Sequence, residues 1–472
     1  MTKFFIDQHG CAKNQTDGEL IAGYLSKLGY ELTQNADEAS FILVNSCGFI
    51  ESAKKESIDA VYSIKNNYPN AKIILTGCLA QRYAKELHDS MPELDGIFGN
   101  GNLSKIGDFM KSVEKDEHVL MTFPQTGVCS GDRPTLFNYP SSAYVKITEG
   151  CSNHCSFCAI PLIRGELRSR PMNEILKEVQ SLVEDGIYEI NLIGQDLAAY
   201  GSEKGFSLNS ENTEKSPLAL LMENLSQIKG DFIIRLLYIH PDHFNPDILQ
   251  VMKKDDRFLH YFDIPFQSGD DQIIKKMNRK GSREIYTKLV ETIRSELSDC
   301  VIRTTFLTGF PGETEENAEN TRAFLSQIKP NWSGCFPYSR EEDTPAYSMK
   351  GRVPAKLAQK RAAELEELQA NITAQKLEDY VGKEFSVLIE EVLAQTDDSE
   401  GLAIGRAWFQ APDVDGSVVI RFDSDDEKQL LAVQSGNLVK VKILASTSVD
   451  LDARFISLIH KNEKKGEHNF IF

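Results

Sequence analysis

The chain has 472 residues, 41% of them hydrophobic, with nine cysteines and a formal net charge of −18. That length calls for more than one domain, and no apolar run approaches the ~18–20 residues of a membrane span. The acidic balance argues against nonspecific nucleic-acid binding, which needs a basic surface, so stable nucleic-acid binding is not expected.

The first residues, Met1-Thr2-Lys3-Phe4-Phe5-Ile6-Asp7, turn acidic too soon for a signal peptide, so a cytoplasmic location without a membrane is expected. Cysteines in that compartment read as metal ligands, reactive thiols or core residues. Residues 1–115 repeat one pattern three times. Short apolar runs at 3–6, 41–46 and 72–77 end at or near Cys11, Cys47 and Cys78. Helical patterns at 16–28, 51–66 and 81–89 separate or follow them. Strand and helix in alternation predict an open parallel α/β sheet, with the three cysteines facing one crevice beyond the strand ends. Three unrelated core cysteines would be the plain alternative.

Residues 116–136 read as a turn-rich linker in which Cys129 is incidental. From 137 to 371 the alternation restarts, with strands expected at 143–148, 188–194, 232–239, 261–266, 301–307 and 332–337. Six βα units predict a partial (β/α)6 barrel, whose chemistry belongs at the carboxyl ends of the strands. Polar motifs follow each strand: Cys151, Cys155 and Cys158, then Gln195-Asp196, His240-Pro241, Gln267-Ser268-Gly269, Gly309-Phe310-Pro311-Gly312 and Tyr338-Ser339-Arg340. A helix at 354–379 leads to a small all-β barrel at 374–460 and a tail at 461–472 without evident structure. Over 376–460 there are eight Lys/Arg and sixteen Asp/Glu, a net of −8. That suits a basic protein partner better than RNA.

The spacing Cys151-x-x-x-Cys155-x-x-Cys158 brings three thiolates to one soft centre. A cubane 4Fe–4S cluster so held keeps one iron open. An open iron can chelate the amino and carboxylate groups of S-adenosylmethionine, and one electron then yields methionine and a 5′-deoxyadenosyl radical. Phe157, between the last two cysteines, is suited to shield the cluster or pack on adenine. A zinc site would want a fourth ligand, for which His154 is the adjacent candidate. A non-catalytic iron–sulfur electron carrier is a further reading; it would form neither methionine nor 5′-deoxyadenosine.

Cys151-x-x-x-Cys155-x-Phe157-Cys158 resembles the signature of the radical S-adenosylmethionine superfamily. The chain over nearly all of 1–460 resembles its methylthiotransferase branch: a three-cysteine N-terminal domain, a radical core and a TRAM barrel. Gly10-Cys11-Ala12-Lys13-Asn14, Asn45-Ser46-Cys47-Gly48-Phe49-Ile50, Gly77-Cys78-Leu79-Ala80-Gln81-Arg82-Tyr83, Asp263-Ile264-Pro265 and Gln410-Ala411-Pro412-Asp413-Val414-Asp415-Gly416 are similar to the members that modify an aspartate of small-subunit ribosomal protein S-twelve. Gln267-Ser268-Gly269 stands where those members carry Gln-His and is closer to the enzymes that modify isopentenyl-adenosine in tRNA, the alternative substrate. The resemblance implies two 4Fe–4S clusters, an auxiliary one on Cys11, Cys47 and Cys78 and a radical-generating one on Cys151, Cys155 and Cys158. It implies S-adenosylmethionine as methyl donor and radical source, and methylthiolation of the aspartate β-carbon. A reducing partner such as flavodoxin or ferredoxin is expected. Phe157, Gln195, Asp196, Gln267 and Arg303 are the expected cofactor contacts.

Overall fold

The computed structural model describes residues 1–115, 118–206, 214–393, 400–462 and 468–470. The N-terminal unit is a parallel sheet of six strands, Lys3–Gln8, Glu31–Leu32, Phe41–Ser46, Lys72–Thr76, Gly96–Gly99 and Val119–Met121, in the spatial order 2-1-3-4-5-6. Its middle strand, Phe-Ile-Leu-Val-Asn-Ser, is buried throughout, as a parallel strand covered on both faces must be. The order reverses between the first and third strands. Such a switch point opens a crevice beyond the strand ends, and Cys11 and Cys47 follow those two strands. The sheet exceeds the three strands legible from apolar runs. Glu31–Leu32 is too short to read, and Gly96–Gly99 is half glycine. Val119–Met121 lies in the stretch expected to link domains but pairs with Gly96–Gly99.

The core is six parallel strands in chain order, Ser142–Lys146, Glu189–Ile193, Ile233–Leu236, Phe258–Asp263, Val301–Thr308 and Trp332–Pro337. The first and last are unpaired with each other, so the barrel is open. Helices cover its outer face through Ile175, Val179, Leu182, Tyr286, Val290 and Ile293. The fourth strand begins three residues earlier than its apolar run suggested. Ile264 and Phe266 are buried beyond its end, and Pro265 between them has no N–H to extend the ladder.

The helix Ala355–Glu378 leads to a closed five-strand barrel, Glu384–Val392, Glu400–Ala407, Val418–Asp423, Leu438–Ser446 and Leu451–His460. Its strands pair antiparallel except Val418–Asp423 and Leu451–His460, which run parallel. The tail, expected to lack structure, returns to the core: Asn469–Phe470 pairs with Thr135–Leu136.

Both end units are fixed to the core, by different means. The terminal barrel fills the inside of the open barrel. Tyr144, Ile193, Leu237, Tyr261 and Trp332 share one apolar cluster with Val387, Ile389, Phe409, Val418 and Ile420. Inside it, Glu189 takes Arg406 at 2.7 Å and Arg235 at 3.0 Å. The N-terminal unit is held by charges at both ends of the open sheet. Lys146, closing the first strand, pairs with Asp17 at 2.6 Å. Beyond the last strand, Glu341 pairs with Arg82 at 2.7 Å and Lys54 at 3.2 Å. Arg133, in the connector, pairs with Glu19 of the N-terminal unit and Glu178 of the core.

Candidate active site

The loop after the first core strand carries Cys151, Cys155 and Cys158, and backbone bonds set its shape. The N–H of Cys151 donates to the Gly165 carbonyl at 3.0 Å, and that of Cys158 to Cys155 at 2.9 Å. Gly150 turns at φ +74°, where a Cβ would lie 2.1 Å from the Glu166 carbonyl oxygen, so this position requires glycine. His154 turns at φ +48° and its carbonyl accepts from Asn278 at 2.9 Å. Ser156 is tied by its N–H and hydroxyl to Met277 and Lys276. Phe157 packs against Ile273, Met277 and Phe310.

Cys151 lines a cavity of about 250 Å³ with Asn153, Asp196, His240, His243 and Asn278. Asp196 is buried and accepts from Asn153 at 2.9 Å and His243 at 2.7 Å. Burial would raise its pKa, but the His243 bond and the nearby His240 hold it below the ordinary range. Burial brings His240 down to about 3, so it is neutral, and its Nε2 stands 3.8 Å from Cys155 Sγ. Gln195 donates to Glu149 at 3.3 Å, while its buried Oε1 has no partner among the described residues. Gln267 is held at φ +69°, its N–H on Thr305 and its carbonyl accepting from Leu307. A non-glycine residue in that conformation is strained, a state that clusters at functional sites. Arg303 meets Asp415 of the terminal barrel at 3.3 Å and Asp263 of the fourth core strand at 3.4 Å.

The second triad comes from three separated strand ends. Cys11 caps the helix Ala12–Lys27, Cys47 follows the strand Phe41–Ser46, and Cys78 sits in the short helix Gly77–Arg82. Close backbone packing lets them meet. Gly10 turns at φ +85°, and a Cβ there would lie 3.1 Å from Cys47 Cβ. A Cβ on Gly48 would lie 2.7 Å from the Leu79 nitrogen. Burial pushes the Cys78 thiol up to about 12 and raises Cys47. Cys11 moves the other way: desolvation opposes it, but Lys13, Arg164 and the N–H groups of the helix start lower it.

Arg164 joins the surroundings of the two triads. It donates to Cys78 Sγ at 3.2 Å and pairs with Asp17 at 2.9 Å and Glu149 at 2.7 Å. Glu149 precedes Cys151 by two residues and also binds Lys146 at 2.5 Å. Lys146, Glu149, Arg164 and His243 were not among the expected site residues. A lysine ending the apolar run Ala143-Tyr144-Val145 was the one signal available. A cation beside a buried strand needs an anion, but that anion, Asp17, lies 129 residues away.

Each triad offers three thiols of the kind that an iron–sulfur cluster takes as ligands. Burial pushes Cys151 up to about 12 and raises Cys158; such thiols become thiolates when metal binds them. Among the described residues, the set with three ligand atoms within 4.8 Å of one another is Asp196, His240 and His243. Neither cysteine triad closes that tightly, whereas thiolates on one zinc, with bonds of ~2.3 Å, must lie nearer. The orphaned Gln195 Oε1 and the buried Asn100 Oδ1, whose Nδ2 reaches Cys78, are free to accept from a bound group.

An open parallel barrel with a three-cysteine loop on its rim defines a radical S-adenosylmethionine enzyme, and the three-unit architecture defines a methylthiotransferase among them. The Radical SAM superfamily matches residues 145–325, the uncharacterized protein family UPF0004 residues 3–99 and the TRAM domain residues 381–456. In fold, the chain is similar over 73% of its length to the radical S-adenosylmethionine methyltransferase TsrM from Kitasatospora setae, covering 74% of that chain, with a TM-score of 0.54 at 13% identity. It is 52% identical to the ribosomal protein uS12 methylthiotransferase RimO of Treponema denticola, over 95% of this chain and 99% of that one. To the RimO of Carboxydothermus hydrogenoformans it is 36% identical over 96% and 100%. The chain belongs to the RimO family.

Proposed function

We propose that this enzyme methylthiolates the β-carbon of an aspartate in ribosomal protein uS12. The observation that carries this reading is the junction at Arg164, which ties the Cys78 thiol to the loop of Cys151, Cys155 and Cys158 through Glu149. Two 4Fe–4S clusters and S-adenosylmethionine, when bound, would supply the chemistry: a 5′-deoxyadenosyl radical beside Cys151, Cys155 and Cys158, and the sulfur to be transferred beside Cys11, Cys47 and Cys78. Cys11, Cys47 and Cys78 would hold the auxiliary cluster; Cys151, Cys155 and Cys158 the radical-generating one.

The chain's own residues then orient and enclose. Asp196 lines the cavity, and its carboxylate and the Oε1 of Gln195 are acceptors suited to the amino group of S-adenosylmethionine. Phe157 shields the loop from solvent on its apolar side. Gln267 is fixed at the rim by its strained backbone. Arg303, engaged by Asp263 and Asp415, acts in our reading as a tie between core and terminal barrel rather than as a cofactor contact. Lys146, Asp17, Glu149 and Arg164 keep the two triads in fixed relation, so the transfer relies on proximity.

Three of the terminal barrel's acids are spent inside: Asp413 on Tyr144, Asp415 on Tyr261 and Arg303, and Glu390 on Arg406. On the surface Glu384, Glu400 and Asp452 pair with Lys440, Arg421 and Arg454, so a basic ribosomal protein would be drawn by the barrel's net negative charge. Flavodoxin or ferredoxin would supply electrons, in the cytoplasm; among the described residues no helix is long and apolar enough to cross a membrane. The test is reconstitution with iron and sulfide, a reductant, S-adenosylmethionine and either uS12 or tRNA. Methylthio-aspartate in uS12, with methionine and 5′-deoxyadenosine formed, is expected. A methylthio mark on tRNA with uS12 unchanged would overturn the proposal in favour of the substrate that Gln267-Ser268-Gly269 resembles.

A further inference from the structure

We propose that Lys13 reads the negative charge of the substrate side chain, a specificity role that rests on the function proposed above. The first turn of the helix Ala12–Lys27 enters the mouth of the core. Ala12 packs against the apolar cluster that fills the open barrel. Lys13 is only 8% exposed, and its Nζ lies 3.1 Å from the centroid of the Tyr238 ring. Tyr238 follows the third core strand and is held at φ +69°, which sets its ring in this mouth. The charges acting on its hydroxyl are those of Lys13, Cys11, Asp263 and Arg303. The position is therefore shared by the auxiliary triad and the barrel interior.

Three other cations of the two sites are matched. Lys146 has Asp17 and Glu149, Arg164 has the same two, and Arg303 has Asp263 and Asp415. Lys13 meets no carboxylate among the described residues. Lysines this deep are rarely left without an anion. The face of a tyrosine attracts an ammonium but does not neutralise it. An anion arriving between the triads would complete the site, and a lysine suits it because its compact point charge can meet one carboxylate oxygen from several directions. In the proposed reaction the carbon to be modified carries such a carboxylate as its neighbour. The competing use of Lys13 is to offset the charge of the auxiliary cluster held by Cys11.

The experiment compares binding of two synthetic uS12 peptides, differing only by Asp or Asn at the target position, to enzyme with both clusters reconstituted. Fluorescence anisotropy gives Kd for wild type, Lys13→Gln and Lys13→Arg, and iron content is measured on the same samples. Wild type should prefer the Asp peptide by about tenfold, as for a charge-assisted hydrogen bond. Lys13→Gln should bind the two peptides equally with its iron retained, and Lys13→Arg should keep a preference for Asp. The ratio of the two constants does not depend on the folded fraction. Equal discrimination by wild type and Lys13→Gln would overturn the inference. So would loss of auxiliary-cluster iron in Lys13→Gln with the peptide ratio unchanged, which would assign Lys13 to the cluster. If wild type modifies no uS12 peptide at all, the proposed function falls, and this role with it.

Discussion

The two cysteine triads reach the same end by opposite routes. Cys151, Cys155 and Cys158 lie within eight residues, and one loop, pinned by Gly150, Asn278 and Ser156, arranges them. Cys11, Cys47 and Cys78 are spread over 68 residues and meet because three parallel strands end at the same edge of one sheet. The local triad needs a correctly turned loop. The assembled triad needs an intact domain, close packing at Gly10 and Gly48, and the Arg164 contact from the core. A local site should therefore outlast damage to its surroundings, and an assembled one should not.

The largest contrast is chemical. Cys151→Ala should reduce formation of methionine and 5′-deoxyadenosine to background. Cys78→Ala should still form both while the methylthio product disappears. Liquid chromatography of the small products and mass spectrometry of uS12 read these separately. Loss of radical cleavage in Cys78→Ala would contradict the division of labour.

Breaking the bridge comes next. Arg164→Gln leaves Asp17 and Glu149 sharing Lys146 alone in a buried place, which should cost about 3–5 kcal/mol in denaturant unfolding of the metal-free protein. Iron at the assembled triad should fall more than iron at the local one. An equal fall at both would mean that Arg164 serves the loop and not the junction.

The other inter-unit contact is more apolar and should be less sensitive. Glu189→Gln should cost about 2–3 kcal/mol, because Arg406 and Arg235 lose a buried partner. Burial alone would raise the Glu189 pKa, yet Arg406 and Arg235 hold it well below the ordinary carboxylate range. Its contribution is therefore present above the unfolded value of ~4.3 and lost as pH falls below it. Urea midpoints measured from pH 7 to pH 3 should drop more steeply for wild type than for Glu189→Gln. Parallel curves would remove Glu189 from the acid response.

The smallest effect concerns the local site's rim. Gln195→Ala removes one polar contact beside Glu149 and should raise KM for S-adenosylmethionine by about tenfold, with kcat less affected. A fall in kcat at unchanged KM would show that Gln195 acts after binding.

The sequence by itself determined what chemistry the chain holds. The Cys-x-x-x-Cys-x-x-Cys spacing is a property of one loop, and the apolar runs ending at Cys11, Cys47 and Cys78 are properties of single strands. Periodicity and spacing carry such local facts. The strands Glu31–Leu32 and Gly96–Gly99 escaped that kind of reading because partners, not composition, make them strands. Only the tertiary structure decided how the two sites face each other. Lys146 finds Asp17, Arg164 finds Cys78, and Lys13 finds Tyr238 across 129, 86 and 225 residues of chain. Charge pairing in a buried place depends on distance in space, and no periodicity along the chain records it. The same reason pairs Arg303 with Asp415, a residue of the terminal barrel that only folding brings beside it.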